Sequence, residues 1–546
     1  MKATRISQVS PEDADIVVAE LKIDSAVPGK SVRQSLRKRC AAAWRLWSRL
    51  ALPLTVASAF TAYTIISVSF YVRMEDVTYD LGIFTEYVKR FAHLQAPVVD
   101  AVYPGENLLG DHFHPIVALL APFFRIFPTP VTLLVAQALL IAISIIPISR
   151  AATELLGRGP GQAMAIAYGF SWAFQEMAGY EFHEVAFAVP LLAFSMSALV
   201  RNMPRSAALW ALPLVFVKED QGIAVAAIGL LIATVYREKI LGLALAAWGL
   251  LWSFLAVAVI IPHFNPRHTY RFLGAVPIHA HGPLIARLLH LLVADFGTKE
   301  PTLVLFFLPT LFLALRSPLV LVAVPDLLLR FISTDVNYWG IPTHYNAPVM
   351  PVVFVAAIDV LWLLQQRPRR LITGNGGPQA AGSAPAATDD QERSRRRTSL
   401  RDALGRTSLR NALGRYGAVA MAAVCLKLAF SHPITYVWDP STYRTSPYSL
   451  AAQHAVALVP DGATVAANTV LLAPLGAKAD AYWYGNSALW LGKSGNPVTQ
   501  YVIFDRASPD NAERPKNPLS FVEKFSRGAR YRLIYAKRAI FVYVRV

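Results

Sequence analysis

Ionisable and hydrogen-bonding side chains gather in five short segments of an otherwise apolar sequence. The segments are YDLGIF at 79–84, GDHFHP at 110–115, EFHE at 181–184, KED at 218–220 and NYWGIPTHYN at 337–346. Polar residues next to a membrane cost free energy unless they are paired or used, so such clusters indicate a functional site. A single carboxylate at a helix end is more often a cap or a surface charge. The prediction of a site therefore depends on whether the five segments meet.

The composition indicates that membrane helices hold these segments. The chain has 546 residues, of which 55% are hydrophobic and 16% charged, and its mean hydropathy is +0.40. One globular core cannot bury so much apolar surface. The two cysteines, Cys40 and Cys425, exclude a disulfide-built scaffold. The net charge of +17 would suggest nucleic acid in a soluble protein, but here it indicates membrane topology, and we expect no nucleic-acid partner.

Eleven apolar runs are predicted to span the membrane, several of them short and interrupted by Pro. A run of roughly twenty apolar residues crosses a hydrocarbon core of about 30 Å. The basic segment at 31–50 places residues 1–50 in the cytoplasm, and that region is too long for an ordinary signal peptide. The predicted spans are 51–72, 129–149, 161–178, 185–200, 206–217, 221–236, 240–261, 302–315, 318–333, 347–364 and 416–432.

The loops between these runs alternate in charge. The basic turns at 150–158, 201–205 and 237–239, Arg316 and the loop 367–415 fall on one side, which the positive-inside rule makes cytoplasmic. The segments on the other side hold nearly all the His, Asp and Glu outside the termini and the linker. These outer segments are 73–128, 179–184, 218–220, 262–301 and 334–346. All five polar segments are therefore predicted to face outward.

The chain is thus predicted to be mainly α, a polytopic transmembrane helix bundle with a small C-terminal extracytoplasmic α/β domain. Residues 1–50 form a cytoplasmic basic segment, 51–366 the transmembrane core, and 367–415 a flexible basic cytoplasmic linker. The last transmembrane helix is 416–432. In 433–546 the charge rises, and four short apolar segments between turns are predicted to be strands: ATVAANTVLLAP, TQYVIFDR, YRLIYAKR and AIFVYVRV. The last two segments are predicted to form a hairpin.

The motifs YDLGIF, GDHFHP, FHE and VKED, in this order, resemble the pattern of a multi-spanning prokaryotic membrane family defined only as a domain of unknown function. The likeness covers most of residues 70–365. That family is similar in organisation to the GT-C glycosyltransferases, which use lipid-linked sugar donors. The resemblance implies an outer cleft for donor and acceptor, an acidic base in the first outer loop, and often a soluble domain after the last span. One departure is the lack of a paired DxD motif, since Glu75 and Asp76 are adjacent and precede Tyr79.

Asp80 occupies the first-loop position of that base. In an inverting transfer a carboxylate accepts the proton of the attacking hydroxyl while the lipid phosphate leaves from the opposite face of the sugar. The sequence DLGIFTEYVKRF also fits the start of an interfacial amphipathic helix with Leu81, Phe84, Val88 and Phe91 on one face. Asp80 is therefore predicted to be the base, a helix cap, or both.

A leaving phosphate needs cationic donors, and Arg and Lys are uncommon in outer loops unless they have a task. Loop 262–290 nevertheless carries three arginines and five histidines. We predict that Lys218, Arg267 and Arg271 contact the donor phosphate, with Arg330 a further candidate. The alternative is that the loop anchors lipid headgroups through its basic and aromatic residues.

The other polar residues of these segments are predicted to line the substrate cleft. They are Asp111, His112, His114, Glu181, His183, Glu184, Glu219, Asp220, His344 and Tyr345. No cofactor is required. A divalent metal is an alternative, for which Asp111, His112, His114 and His183 offer O and N ligands. The D-H-x-H spacing lacks the helical geometry of an HExxH zinc motif.

Together these features predict a multi-pass glycosyltransferase of the plasma (inner) membrane. It would transfer a sugar from a polyprenyl-phosphate donor to a glycan or lipid acceptor of the cell envelope, with membrane lipids as further partners. The alternative is a non-enzymatic transporter or a lipid- or polymer-binding membrane protein. A transporter of this size often contains inverted repeats, and none is evident between residues 51–236 and 240–432.

Overall fold

The computed structural model describes residues 30–75, 78–101, 104–272, 284–366, 410, 412–483, 499–508, 519–520, 522 and 529–546, with the backbone alone at 30–48, 284 and 287. The chain divides into two units, Met1–Ala51 and Leu52–Val546. In the first unit a helix begins at Lys30. Most of the predicted linker, 367–409 with residue 411, lies outside the described residues, as do residues 1–29. The polar segments and the sheet all lie in the second unit.

The described part of the chain is mainly helical, as predicted. Its α-helices are α1 (Lys30–Arg73), α2 (Asp80–Ala92), α3 (Ala121–Ile126), α4 (Val131–Leu156), α5 (Arg158–Gly169), α6 (Trp172–Tyr180), α7 (Ala188–Val200), α8 (Pro204–Ala211), α9 (Gln221–Thr234), α10 (Lys239–Leu255), α11 (Ile261–Phe264), α12 (Leu284–Val293), α13 (Phe296–Phe307), α14 (Val324–Phe331), α15 (Val336–Trp339), α16 (Val349–Gln366), α17 (Ala412–Ala429), α18 (Pro447–Ala457) and α19 (Thr469–Gly476).

Shorter turns of helix join or extend these elements. A π-helical turn, Ala256–Ile260, connects α10 to α11. The 3₁₀ turns are Leu108–Gly110, Pro115–Leu120, Glu184–Phe187, Leu212–Phe216, Leu308–Thr310, Leu313–Arg316, Pro318–Val322, His344–Asn346, Pro433–Trp438 and Pro440–Tyr443. Many begin at or beside a proline, which fixes φ and lacks an N–H, so a helix tends to start or break there.

Five helical stretches among the described residues are long and apolar enough to cross a membrane. They are Arg49–Arg73, Val131–Leu156, Lys239–Phe264, Val349–Gln366 and Ala412–Ala429. Each coincides with a predicted span. The other predicted spans fall on shorter or interrupted helices; 161–178, for example, breaks between α5 and α6. The figure of eleven spans therefore stays a prediction.

Small residues set the closest helix pair, α9 against α10. A Cβ on Gly222 would lie 2.2 Å from the Gly249 carbonyl oxygen, and one on Gly229 would lie 2.5 Å from the Gly242 carbonyl oxygen. The two backbones can approach this closely only because these four positions have no side chain, as in membrane helix pairs generally.

The C-terminal region contains a five-stranded sheet of order β2-β1-β3-β5-β4. Its strands are β1 (Thr464–Ala467), β2 (Asp480–Trp483), β3 (Tyr501–Asp505), β4 (Tyr531–Lys537) and β5 (Ile540–Arg545). Strand β1 pairs in parallel with β2 and β3, while β5 is antiparallel to both β3 and β4. The predicted terminal hairpin is thus confirmed as β4–β5.

One predicted strand is only half right. The segment ATVAANTVLLAP at 463–474 forms β1 and then turns into helix α19 after Asn468. Asn468 has extended backbone and its side-chain oxygen accepts a hydrogen bond from the Asp505 backbone N–H at 2.7 Å. The apolar run thus supplies one strand and the helix after it, as parallel pairing of β1 and β2 requires.

The sheet region contacts residues 80–101, which lie in the predicted first outer segment. Helix α2 lies against α19, where a Cβ on Gly82 would come within 2.7 Å of the Leu472 Cβ atom. The Trp483 backbone N–H donates to the Ala101 carbonyl at 3.2 Å. Because α2 begins at Asp80, this contact helps to fix the helix that carries the predicted base.

Candidate functional site

The N-terminus of α2 is held by a carboxylate from another part of the chain. The two oxygens of buried Glu181 accept hydrogen bonds from the backbone N–H groups of Thr78, at 2.6 Å, and Leu81, at 2.7 Å. A carboxylate satisfies such N-terminal donors and complements the helix dipole. Glu181 therefore performs the capping that was considered for Asp80, and Asp80 is the first residue of the helix and not its cap. The predicted start of the helix at Asp80 is confirmed.

Asp80 lies beside two histidines that come from distant parts of the sequence. One oxygen of Asp80 and one ring nitrogen each of His183 and His344 all lie within 4.8 Å of one another. The two imidazole rings are stacked, with centroids 3.6 Å apart and an angle of 16° between their planes. Three of the five polar segments of the sequence thus meet at one point.

A glutamine inside a membrane helix fixes the segment that carries His183. The Gln137 side chain, on α4, donates to the carbonyls of Met177 at 3.1 Å and Glu181 at 2.8 Å, and its oxygen accepts from the His183 N–H at 3.1 Å. Gln137 is completely buried. Gln137 is not among the predicted site residues, although an amide in the middle of a predicted span is a signal of a specific hydrogen-bonding role.

Glu184 and Lys218 form a buried ion pair next to the histidines. A Glu184 oxygen lies 2.6 Å from His183 Nδ1, and the other lies 3.1 Å from Lys218 Nζ. Neither contact has the angles of a hydrogen bond. Lys218 Nζ also donates to the Tyr345 hydroxyl at 3.4 Å. A fourth polar segment, KED, therefore contributes to the same group of residues.

Arg330 holds the segment that carries His344 and Tyr345. Its guanidinium donates to the carbonyls of Tyr338 at 2.6 Å and Tyr345 at 2.9 Å, and to Asn346 Oδ1 at 2.6 Å. It is only 5% exposed. With its donors engaged in this way, Arg330 positions the loop and is a poor candidate for the phosphate contact that its charge suggested.

Glu219 organises the remaining polar segment, GDHFHP. Its carboxylate contacts His112 Nδ1 at 2.6 Å and accepts hydrogen bonds from the Phe113 N–H at 3.0 Å and the Tyr270 hydroxyl at 2.9 Å. Burial alone would raise the pKa of Glu219, but His112 and Lys218 outweigh it and lower the pKa to about 2. The Tyr270 contact was not expected from the sequence.

The predicted phosphate-binding cations differ in their surroundings. Arg271 donates to Asp111 Oδ1 at 3.0 Å and lies 3.7 Å from a Glu106 oxygen, whereas Arg267 is exposed. Lys218 is buried against Glu184. Tyr270, whose hydroxyl contacts Glu219, directly precedes Arg271 in the chain, and Lys218 directly precedes Glu219. Lys218 and Arg271 therefore flank the Glu219 group.

His114 and Asp220 lie at the edges of this arrangement. His114 packs edge-on against the rings of Phe84 and Tyr87 on α2, and burial lowers its pKa to about 4, so it is neutral at physiological pH. Burial raises the pKa of Asp220 to about 6, in spite of nearby Lys218. The metal alternative uses Asp111, His112, His114 and His183. Two of these four residues already have partners within the protein, because Asp111 pairs with Arg271 and His112 with Glu219.

All five polar segments lie within the part of the chain that matches a protein-family model. Residues 70–375 match the model of the family described as predicted membrane protein (DUF2079). This chain belongs to the DUF2079 family. The match confirms the resemblance that the ordered motifs YDLGIF, GDHFHP, FHE and VKED indicated. No curated protein matches the sequence.

Two solved structures are similar in fold to this chain. ArnT from Cupriavidus metallidurans, crystallised with undecaprenyl phosphate, is 15% identical with a TM-score of 0.46, over 90% of this chain and 97% of its own. Arabinofuranosyltransferase AftD from Mycobacteria has the same identity and score over 90% of this chain, but only 39% of its own length is covered. Likenesses this distant carry no information about the activity of this DUF2079 protein.

Proposed function

We propose that this protein is a membrane glycosyltransferase that moves a sugar from a polyprenyl-phosphate donor to an acceptor of the cell envelope. The observation that carries the proposal is the convergence of Asp80 with His183 and His344, next to the Glu184–Lys218 pair. A carboxylate, imidazoles and a buried cation gathered from segments far apart in sequence are typical of an active site.

Asp80 is the proposed base. Its carboxylate takes the proton of the acceptor hydroxyl, the acceptor oxygen forms a new bond to the anomeric carbon, and the bond from that carbon to the phosphate oxygen breaks. The lipid phosphate leaves with the electron pair. Burial raises the pKa of Asp80, although His183 and Lys218 act against this, and a raised pKa improves a carboxylate as a proton acceptor near neutral pH.

The cations Lys218, Arg267 and Arg271 are proposed to bind the donor phosphate. The phosphate gains charge as the glycosidic bond breaks, so donors that face it stabilise the transition state more than the bound substrate. Exposed Arg267 and partly exposed Arg271 suit a lipid headgroup, while buried Lys218 suits the inner end of the site. The other residues of the five segments would line the cleft for sugar and acceptor.

The orientation in the membrane follows from the proposal. The protein would lie in the plasma membrane. Residues 1–50 and the linker 367–415 would be cytoplasmic, and the sheet region within 433–546 would be extracytoplasmic. The contact between α2 and α19 is consistent with this, since it requires the sheet region and the first outer segment to be on the same side.

The test is sugar transfer from a labelled polyprenyl-phosphate donor by purified protein in lipid vesicles. Asp80→Asn keeps the shape and hydrogen bonding of the side chain but removes the base, so turnover should fall by roughly a hundredfold or more. Donor binding should largely persist. Asp461→Asn is the matched control, because Asp461 is exposed and lies in the sheet region.

Two results would oppose the proposal. If Asp80→Asn transfers sugar at the wild-type rate, Asp80 is not the base. If the wild-type protein consumes no polyprenyl-phosphate sugar with any acceptor, a transporter or a lipid- or polymer-binding protein becomes the better description. Arg271→Ala refines the assignment, since a phosphate contact predicts a raised KM for the donor and a lower kcat.

A further inference from the structure

The polar side chains around Asp80 have a feature that sugar transfer by a base does not explain. Both ring nitrogens of His344 are buried and make no hydrogen bond. His344 is only 2% exposed. Buried polar atoms in folded proteins nearly always have a partner, so such unpartnered nitrogens call for an explanation.

The arrangement of the three side chains supplies that explanation. The ligand atoms of Asp80, His183 and His344 lie within 4.8 Å of one another, and each residue belongs to a different segment of the chain. A bound metal ion typically requires N and O ligands about 2.0–2.2 Å from one centre. The two imidazoles are stacked, with centroids 3.6 Å apart and 16° between their planes, so one ring must turn out of the stack before a nitrogen of each can reach the same ion.

A carboxylate also stands behind one of the imidazoles. Glu184 Oε2 lies 2.6 Å from His183 Nδ1, which leaves Nε2 of that ring for a ligand. Histidines that bind metals usually present their other nitrogen to a carboxylate or carbonyl, which fixes the ring and increases its basicity. Glu184 is held in turn by Lys218, 3.1 Å away.

We propose that Asp80, His183 and His344 bind a divalent transition-metal ion, for which Zn²⁺ is the best match. Two imidazoles and one carboxylate are a common set of zinc ligands, and three protein ligands leave a fourth position open for water or substrate. The ligand set differs from Asp111, His112, His114 and His183, where Asp111 and His112 are already paired with Arg271 and Glu219.

A second cluster of possible metal ligands is already occupied by a cation of the protein itself. Glu86, Asp100 and Asp480 also bring ligand atoms within 4.8 Å of one another. There, however, Arg90 Nη2 lies 3.1, 3.4 and 3.0 Å from their respective oxygens. A protein cation already occupies the centre of that cluster, so we propose no metal for it.

The metal site rests on the same Asp80 as the proposed transferase activity, with one carboxylate oxygen on the ion and the other left to accept the proton. The site can be tested without any sugar donor. Purified full-length protein in lipid nanodiscs, first stripped of metal, would be titrated with Zn²⁺ alone by calorimetry. We expect one ion per chain. His344→Gln and His183→Gln should weaken binding by a hundredfold or more, and Glu184→Gln by about 10–100-fold, the usual loss when such a supporting group is removed.

The controls are two histidines of the same protein. His112→Gln removes a member of the other ligand set, and His432→Gln removes a histidine that pairs with Glu176 elsewhere. Both should bind Zn²⁺ as the wild type does. If His112→Gln abolishes binding and His344→Gln does not, or if the wild type binds no Zn²⁺, the proposal is overturned.

A measurement on the wild type covers the case in which a histidine variant fails to fold. X-ray absorption at the zinc edge should reveal two imidazole nitrogens at about 2.0–2.1 Å in the Zn²⁺-loaded protein. A spectrum with only oxygen neighbours would contradict the assignment. A bound zinc with no sugar transfer would leave the site standing and remove only the proposed activity.

Discussion

The two ends of helix α2 carry charged residues in very different surroundings. At its start, Asp80 faces His183 and His344, whose buried ring nitrogens include several without hydrogen bonds. Farther along, Glu86 and Arg90 point to the sheet region and contact one another at 3.1 Å. One helix thus belongs both to a group of incompletely paired residues and to a fully paired one.

The second group joins the core to the sheet region. Arg90 reaches three carboxylates, and Glu86 additionally accepts a hydrogen bond from the Asp100 backbone N–H at 3.2 Å. Lys89 donates to the Ala479 carbonyl at 2.5 Å and lies 3.6 Å from Asp480. Every charged side chain in this group therefore has a partner of opposite charge.

The ionisable residues along α2 therefore fall into two kinds, those with all their partners and those without. A buried charge with all its partners contributes to a particular packing, and removing one partner leaves the rest unpaired. A buried polar group without partners destabilises the fold and is retained where a ligand or a reaction needs it. We therefore expect changes at Glu86 and Arg90 to affect stability, and changes at Asp80 and His344 to affect binding and turnover.

The largest effect on stability is expected from Arg90→Ala. It removes the cation shared by Glu86, Asp100 and Asp480, and leaving the buried oxygens of Glu86 and Asp100 without this donor typically costs about 1–3 kcal/mol. The midpoint of thermal unfolding of the full chain in detergent should fall. His344→Gln, in the other group, should leave that midpoint nearly unchanged. Equal losses for both variants would remove the distinction between the two groups.

A smaller effect should appear as a pH dependence. Burial raises the pKa of Glu86 from its ordinary value to about 8, against the influence of Lys89 and Arg90, while Asp100 and Asp480 add to the increase. Between about pH 4.5, the ordinary pKa of a glutamate, and about pH 8, Glu86 holds a proton in the folded protein that it has lost in the unfolded chain. The stabilisation is therefore fully present below about pH 4.5 and is lost as the pH rises through about 8.

Glu86→Gln isolates this contribution from the other ionisable groups. The amide resembles the protonated carboxyl and cannot lose the proton, so the variant should lose less stability than the wild type between pH 6 and pH 9. Unfolding midpoints of both proteins across this range are the measurement. Parallel curves would mean that Glu86 is already charged in the folded protein at pH 6.

Sequence patterns predicted the helices better than the contacts between them. Hydropathy located α1, α4 and α16, because an apolar run of sufficient length has few alternatives in a membrane. It did not predict the break between α5 and α6. It also missed β2, a four-residue strand that is recognisable only by its parallel pairing with β1.

The site was predictable in its residue types and not in its pairings. The polar segments stood out because charge is uncommon near membrane spans. That Glu181 would cap α2, or that Arg330 would hold the loop carrying His344, depends on contacts between residues far apart in the chain. No local periodicity encodes such contacts, so Glu181 was predicted to line the substrate cleft and Arg330 was a further candidate for the donor phosphate.

The smallest effect is expected from Gly82→Ala, where α2 meets α19. The new Cβ would lie 2.7 Å from the Leu472 Cβ atom and 3.2 and 3.3 Å from backbone atoms of Leu472 and Ala473, so the two helices must separate slightly. Overpacking of this kind costs about 1–3 kcal/mol, while alanine favours a helix over glycine by about 1 kcal/mol. A net loss of about 1 kcal/mol should therefore lower the unfolding midpoint. Gly297→Ala, in α13, is the control, because a Cβ there has no atom within 4 Å and the midpoint should hold or rise. If both variants behave alike, the contact of Gly82 with α19 does not help to hold the helix that carries Asp80.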